Sequence, residues 1–342
     1  MAKDQEIQAR SLRSMSVDTL LYEVARVQIS DPGVSYLSTE KILSVPPGPP
    51  LRAGQKNIIV IYCGAFNPPH TGHVACLVDA LQHMAKDPTL CHFVACIVVP
   101  LDEELLLQKE KRKRGDNPRA SEINPPIILS GKDRADLLSS YIHSAASGLD
   151  AHLRSKVHVW APADAKTITD IPRLIAAEAK NKGFEMDFIF VRSCEYMYYG
   201  DKGATRYPRA IHPQCSMVIF TNVGGRNNDG VWQADGSPLA QEEPWTKWEA
   251  LVMSQDLEKG ARRTVWSTKS PTSEQRILDT RNTLKSESCF SSTEIRRLLY
   301  KGNFEDRETL EKDLHEAGAI DAGRLIGMLE DWVDQRSTSF NR

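Results

Sequence analysis

The residues with the clearest capacity for chemistry stand in one run, Gly64-Ala-Phe-Asn-Pro-Pro-His-Thr-Gly-His73. Gly64 and Gly72 let a backbone approach a phosphate with no Cβ in the way. Pro68 and Pro69 stiffen the segment, and His70 and His73 bring two imidazoles to it. The apolar run Ile58–Tyr62 precedes it. After it, Val74, Leu77, Val78, Leu81 and Met84 share one helical face over 74–84. The loop is therefore expected to join a strand to a helix whose positive end and N–H groups face the same spot, an anion site. Imidazole donors there can bind the charge that grows on phosphate oxygens during in-line displacement. A surface histidine or a plain helix cap is the simpler reading of either residue alone.

A second run, Ser291-Ser-Thr-Glu-Ile-Arg-Arg297, opens another predicted helix with Ile295, Leu298 and Leu299 as its inner face. Ser291 and Glu294 have capping-box spacing. Ser292, Thr293 and Arg296 would then offer hydroxyls and a guanidinium that can bind phosphate bidentately. A plain helix start would use the same residues. Lys132 and Arg134, in Gly131-Lys-Asp-Arg134, are further candidates for phosphate, or simply a solvated first turn.

Positioning such loops requires a frame, and the apolar pattern supplies one. Short apolar runs at 58–62, 93–99, 156–160, 188–191 and 216–220 alternate with helical segments at 74–84 and 171–180. Continuous apolar runs of this kind indicate strands of a parallel sheet covered on both faces. The expected fold is α/β: a Rossmann-like doubly wound parallel sheet with helices on both faces, plus N-terminal and C-terminal helical extensions. Residues 1–50 read as a helical extension with Val17, Leu20, Leu21, Val24 and Val27 on one face, ended by Pro46-Pro-Gly-Pro-Pro50. The α/β domain is expected over 51–304, and a helical tail over 305–342 with Leu325, Ile326, Leu329, Trp332 and Val333 as its apolar face. Segments near 102–126 and 223–262 read as loop insertions. The basic run Lys109–Arg114 could fold over phosphates, serve nuclear import, or simply be solvated.

Composition narrows the partners. A net charge of -2 argues against a nucleic-acid binder, and no apolar run is long enough to span a membrane. Seven scattered cysteines without a Cys-x-x-Cys pair give no zinc signature and fit a reducing compartment, cytoplasmic or nuclear. Trp160, Trp245 and Trp248 could stack on a base, although core packing is the commoner use of tryptophan.

The pairing of His70-x-Gly72-His73 with Ser291-Ser-Thr-x-x-Arg296 resembles the nucleotidylyltransferase superfamily, and most closely its nicotinamide mononucleotide adenylyltransferases. The likeness spans roughly residues 57–302. It implies transfer of AMP from ATP to nicotinamide or nicotinate mononucleotide, with pyrophosphate released. It further implies that His70, His73 and Arg296 are catalytic. Gly64, Ala65, Phe66, Gly72, Ser292 and Thr293 would be nucleotide-binding, and Lys132 and Arg134 near phosphate. A Mg²⁺ ion would bridge the phosphates, held by them and water with no protein ligand, as Mg²⁺ prefers. The implied partners are these small molecules rather than nucleic acid or membrane, together with a homo-oligomer of the kind the family often forms.

Three positions depart from the family's pattern. Ala65 replaces a hydroxyl residue, Val191-Arg-Ser-Cys-Glu195 replaces Gly-x-Asp, and Thr221-Asn-Val-Gly224 replaces an arginine–glycine pair. The altered half is the acceptor half. Another phosphorylated acceptor, CTP chemistry, or nucleotide sensing without catalysis therefore remain alternatives. Ser267-Thr-Lys-Ser270 faintly resembles the lysine loop of class I aminoacyl-tRNA synthetases but lacks most of its pattern.

Overall fold

A computed structural model describes residues 15–29, 35–36, 49–114, 127–162, 167–194, 213–221, 232–233, 237–238, 245–252, 264–279 and 291–330. The predicted runs become β1 (Lys56–Gly64), β2 (Ala95–Pro100), β3 (Val157–Val159), β4 (Glu185–Ser193) and β5 (Cys215–Thr221). Their spatial order is β3-β2-β1-β4-β5, and every neighbouring pair is parallel. Strand β2 is buried along its whole length, because helices cover both faces of the sheet. This is the doubly wound arrangement expected from the alternating runs.

Beyond β5 the sheet continues with β6 (Glu249–Val252), β7 (Thr264–Ser270) and β8 (Ser273–Asp279). Strand β8 adds parallel to β5, then β7 and β6 close the edge antiparallel. The expected parallel sheet thus gains two antiparallel strands at one side, and β6 falls inside the 223–262 segment read as a loop. Interspersed polar residues explain why no run marks these strands. Ser267 bonds Glu274 between β7 and β8, next to Trp266 packed against the core, so none of the three forms a continuous apolar run.

On one face, α1 (Val17–Ile29) and α6 (Thr167–Asn181) pack Val17, Leu20, Leu21, Val24, Ile171 and Ile175 against Ile59, Ile97 and Phe188. On the other, α2 (Thr71–Lys86) and α4 (Gly131–Ile142) pack Leu77, Leu81, Leu138 and Ile142 against Val60, Val98 and Ile189. A short helix, α5 (Ala151–Arg154), leads into β3. Helices α7 (Ser292–Lys301) and α8 (Arg307–Glu316), with the helical residues 322–330, form a third cluster around Leu129, Leu137, Ile295, Leu314 and Leu325. Leu325, Ile326 and Leu329 are buried as the tail's pattern predicts; Trp332 and Val333 lie outside the described residues.

The 102–126 expectation is also corrected. Residues Glu103–Arg114 form helix α3, while 115–126 lie outside the described residues. Asp102 caps the helix by accepting the Glu104 N–H at 2.6 Å, and Leu106 anchors it in the core. Leu, Gln, Lys, Glu and Arg are all strong helix formers, so propensity carries a segment with little amphipathic pattern.

Helix α1 is tied to β3 by a buried polar contact. His158 Nε2 lies 3.2 Å from Asp18 Oδ1, both side chains being almost fully enclosed. Burial holds His158 below its ordinary value of 6.5, outweighing the opposing pull of Asp18, with His143 adding repulsion. The unfolded chain then takes up a proton near pH 6.5 that the folded chain refuses. Stability is expected to be level above pH 6.5 and to fall as pH drops from there toward the depressed folded pKa. Melting temperatures at pH 7.5 and 5.5 test this. His158→Gln should shrink the difference, and an unchanged difference would remove His158 as its source.

Candidate active site

The order of strands reverses between β1 and β4, whose neighbours β2 and β5 lie on opposite sides. Crossovers leave in opposite directions there and open a crevice at the carboxyl ends, where doubly wound folds receive ligands. Gly64 ends β1 at that crevice, and the His70–His73 segment follows it directly.

Gly64 has a second use. A Cβ at this position would lie 2.6 Å from the Phe66 ring. Phe66 itself is fully buried, with its ring edge-on to Tyr62 at 5.2 Å and to His73 at 5.0 Å. Its φ of 45° is a left-handed value uncommon for an aromatic residue and is held by this packing. Phe66 was expected to line a nucleotide loop; it is instead the wedge on which the loop is built.

His70 occupies the N-cap of α2, which starts three residues ahead of the predicted helix. Its backbone N–H donates to His73 Nδ1 at 3.2 Å, and the two rings stack at 3.6 Å between centroids. Burial pushes the His73 pKa well below 6.5, and the neighbouring His70 and Lys109 push it the same way. His73 is thus a neutral imidazole whose Nδ1 is an acceptor, which puts the ring proton on Nε2.

The expectation of unengaged N–H groups at this helix start is corrected in part. The Thr71 N–H donates to the Gly318 carbonyl at 2.9 Å and the His73 N–H to the His70 carbonyl at 2.9 Å. The tail reaches back to the loop here, with a further bridge from His70 to Ala319. Gly72 is buried within the first turn.

The second motif meets the first. Ser291 caps α7 by accepting the Thr293 N–H at 3.1 Å, but Glu294 turns to Arg297, so the reciprocal half of the expected capping box is not formed. Ser292 Oγ donates to the Pro68 carbonyl at 2.9 Å, and Arg296 Nη1 donates to the Asn67 carbonyl. Arg296 Nη2 contacts Thr293 Oγ1 at 3.4 Å and Glu110 Oε1 at 3.5 Å. Residues more than two hundred positions apart therefore share one patch at the end of β1.

The two basic candidates on α4 separate. Lys132 is half exposed and pairs with Asp136 at 3.3 Å, one turn along its own helix. Arg134 is fully buried. Its Nη1 donates to the Ala65 carbonyl at 2.8 Å and its Nε to the Leu129 carbonyl at 3.0 Å. Burial lowers its pKa to about 10, which still leaves it charged at neutral pH. Through Nη1 it braces the loop at Ala65 and through Nε the segment before α4, while its buried Nη2 has no hydrogen-bond partner among the described residues.

Asn67 is the residue the sequence reading passed over. Its side chain donates to the Ile127 carbonyl at 2.8 Å and accepts the Leu129 N–H at 2.9 Å, fastening the loop to the segment before α4. Only its place between Phe66 and Pro68 hinted at this. Trp160 and Trp245 are buried and Trp248 packs against the core, so ring packing accounts for all three. Of the departures, Val191–Ser193 ends β4 with Cys194 in the turn after it, and Thr221 ends β5, while Glu195 and Asn222–Gly224 lie outside the described residues.

No family model matches the sequence, and no curated protein matches it. Among solved structures, the chain is similar to the Plasmodium falciparum nicotinic acid mononucleotide adenylyltransferase complexed with APC. The match has 13% identity and a TM-score of 0.38 and covers 81% of this chain and 96% of that one.

Proposed function

We propose that this chain is a nucleotidyltransferase that moves AMP from Mg-ATP to nicotinamide or nicotinate mononucleotide. The observation that carries the reading is the docking of the two motifs. Ser292 on Pro68 and Arg296 on Asn67 bring a hydroxyl and a guanidinium beside the stacked His70–His73 pair at the strand-order switch. In the reaction an oxygen of the acceptor's phosphate attacks the α-phosphorus of ATP. The bond from that phosphorus to its bridging oxygen breaks, and pyrophosphate leaves. An ionised phosphate is already a nucleophile, so positioning and charge stabilisation suffice.

In this reading His73 donates Nε2–H, and His70 beside it, to the oxygens on which charge grows. Arg296, with Ser292 and Thr293, holds the triphosphate and the leaving pyrophosphate. Gly64, Ala65 and Gly72 allow the nucleotide to come close, and Phe66 and Arg134 keep the loop in shape. The Mg²⁺ ion would come with the triphosphate. Among the described residues no three His, Cys, Asp or Glu side chains converge as a protein cage for it.

The test is pyrophosphate release from Mg-ATP with nicotinamide and nicotinate mononucleotides in turn, with CTP as the control triphosphate. Release that needs ATP and one of these acceptors supports the proposal. Release only with CTP or another acceptor would keep the reaction type and reject the substrates. ATP binding without release under any of these conditions would point to a sensor and reject the enzyme.

A further inference from the structure

Helix α3 lies across the candidate site, and its charges are placed in pairs with the site's own. Glu110 Oε1 sits 3.5 Å from Arg296 Nη2, with both side chains largely enclosed. Arg296 spends Nη1 on the Asn67 carbonyl, so Nη2 is the edge a phosphate oxygen would use, and a carboxylate is on that edge. One residue earlier, Lys109 is near enough to His73 to disfavour its protonation. Two turns back, Glu103 Oε1 accepts the Gly131 N–H of α4 at 3.0 Å, which fastens the other end of the helix. Residues 103 and 110 are seven apart and share one helical face, so one rigid element makes both contacts.

Resting on the nucleotidyltransferase reading of this site, we infer that Glu110 is a built-in substitute for a triphosphate oxygen. Helix α3 is then a latch that the nucleotide displaces when it binds. A carboxylate and a triphosphate cannot share one guanidinium edge, because like charges at that distance repel strongly where water is scarce. Triphosphate entry therefore breaks the Glu110–Arg296 contact, and the free energy of that contact is subtracted from binding. The latch also gives Arg296 a partner while no nucleotide is bound.

The experiment is direct titration of the full chain with Mg-ATP, read as heat or as displacement of a fluorescent ATP analogue. The wild type, Glu110→Gln, Arg296→Ala, Glu110→Gln with Arg296→Ala, and Glu104→Gln as an exposed charge control on the same helix are compared, with a melting curve for each. Glutamine keeps the shape and removes the charge, so Glu110→Gln should bind ATP about threefold to tenfold more tightly, the weight of one partly enclosed ion pair. That gain should vanish in the Arg296→Ala background, and Glu104→Gln should show none. Hydrogen exchange of the α3 amides should quicken on ATP addition in the wild type. Equal affinity of Glu110→Gln and the wild type would overturn the latch while leaving the nucleotide site standing. So would an equal gain in Glu104→Gln, which would reduce the effect to overall charge. No ATP binding by any of the proteins would overturn the site reading, and the latch with it.

Discussion

His73→Ala lowers turnover by on the order of a hundredfold or more while the protein still folds, as the loss of one preorganised donor to a developing oxyanion commonly does. The expectation follows from how this ring is held. Its Nδ1 is taken by the His70 amide and its charge is suppressed by burial, so Nε2–H is fixed in one tautomer and one direction. A neutral donor binds the transition state without also neutralising the ground-state triphosphate, so its loss should appear in kcat more than in KM. Alanine also removes the acceptor for the His70 amide, a capping contact of about 0.5–2 kcal/mol. A lower melting temperature is thus expected beside the kinetic loss. His73→Asn offers a short polar side chain at the same helix position and separates the two effects. It should recover part of the stability and little of the rate. Single-turnover pyrophosphate release makes the measurement, and a rate within tenfold of wild type would remove His73 from the chemistry.

How much of this could be read in the sequence depends on whether a feature repeats along the chain or is made by contact across it. Strands β1, β2, β4 and β5 each carry a continuous apolar run because both faces are covered, and such runs announce themselves. The same holds for Leu77, Leu81 and Ile295, whose helical spacing follows from the surface they bury. Strands β6 to β8 have polar residues breaking up their short apolar stretches, and α3 carries charge on most of its surface; both hide from an apolar-run reading. In the site, the two motifs were visible because glycine, histidine and arginine are unusual at those spacings. What they do to one another was not. No periodicity says that Ser292 reaches the Pro68 carbonyl, that Asn67 bolts the loop to Leu129, or that Glu110 finds Arg296. Arg134 shows the limit most clearly. It stands at a helix start, where an exposed phosphate ligand would stand, yet it is fully buried under Ala65.

Arg296→Ala should raise the KM for ATP by about tenfold to a hundredfold, the weight of a charge-assisted contact to phosphate. The KM for the mononucleotide should change much less. The guanidinium has two tasks here, and the prediction has to separate them. Nη1 holds the Asn67 carbonyl, a structural contact to the loop that carries both histidines, while Nη2 faces the position occupied by Glu110. Loss of the first task would loosen the loop and depress kcat with either substrate in excess. Loss of the second weakens triphosphate binding alone. Arg296→Lys distinguishes them, because lysine can reach a single acceptor but cannot serve two edges at once. If lysine keeps the loop, kcat should recover toward wild type while the KM for ATP stays raised. A larger rise in the KM for the mononucleotide than for ATP would move Arg296 to the acceptor side of the reaction. Equal rises in both would leave it as a brace for the histidine loop, with the triphosphate held elsewhere.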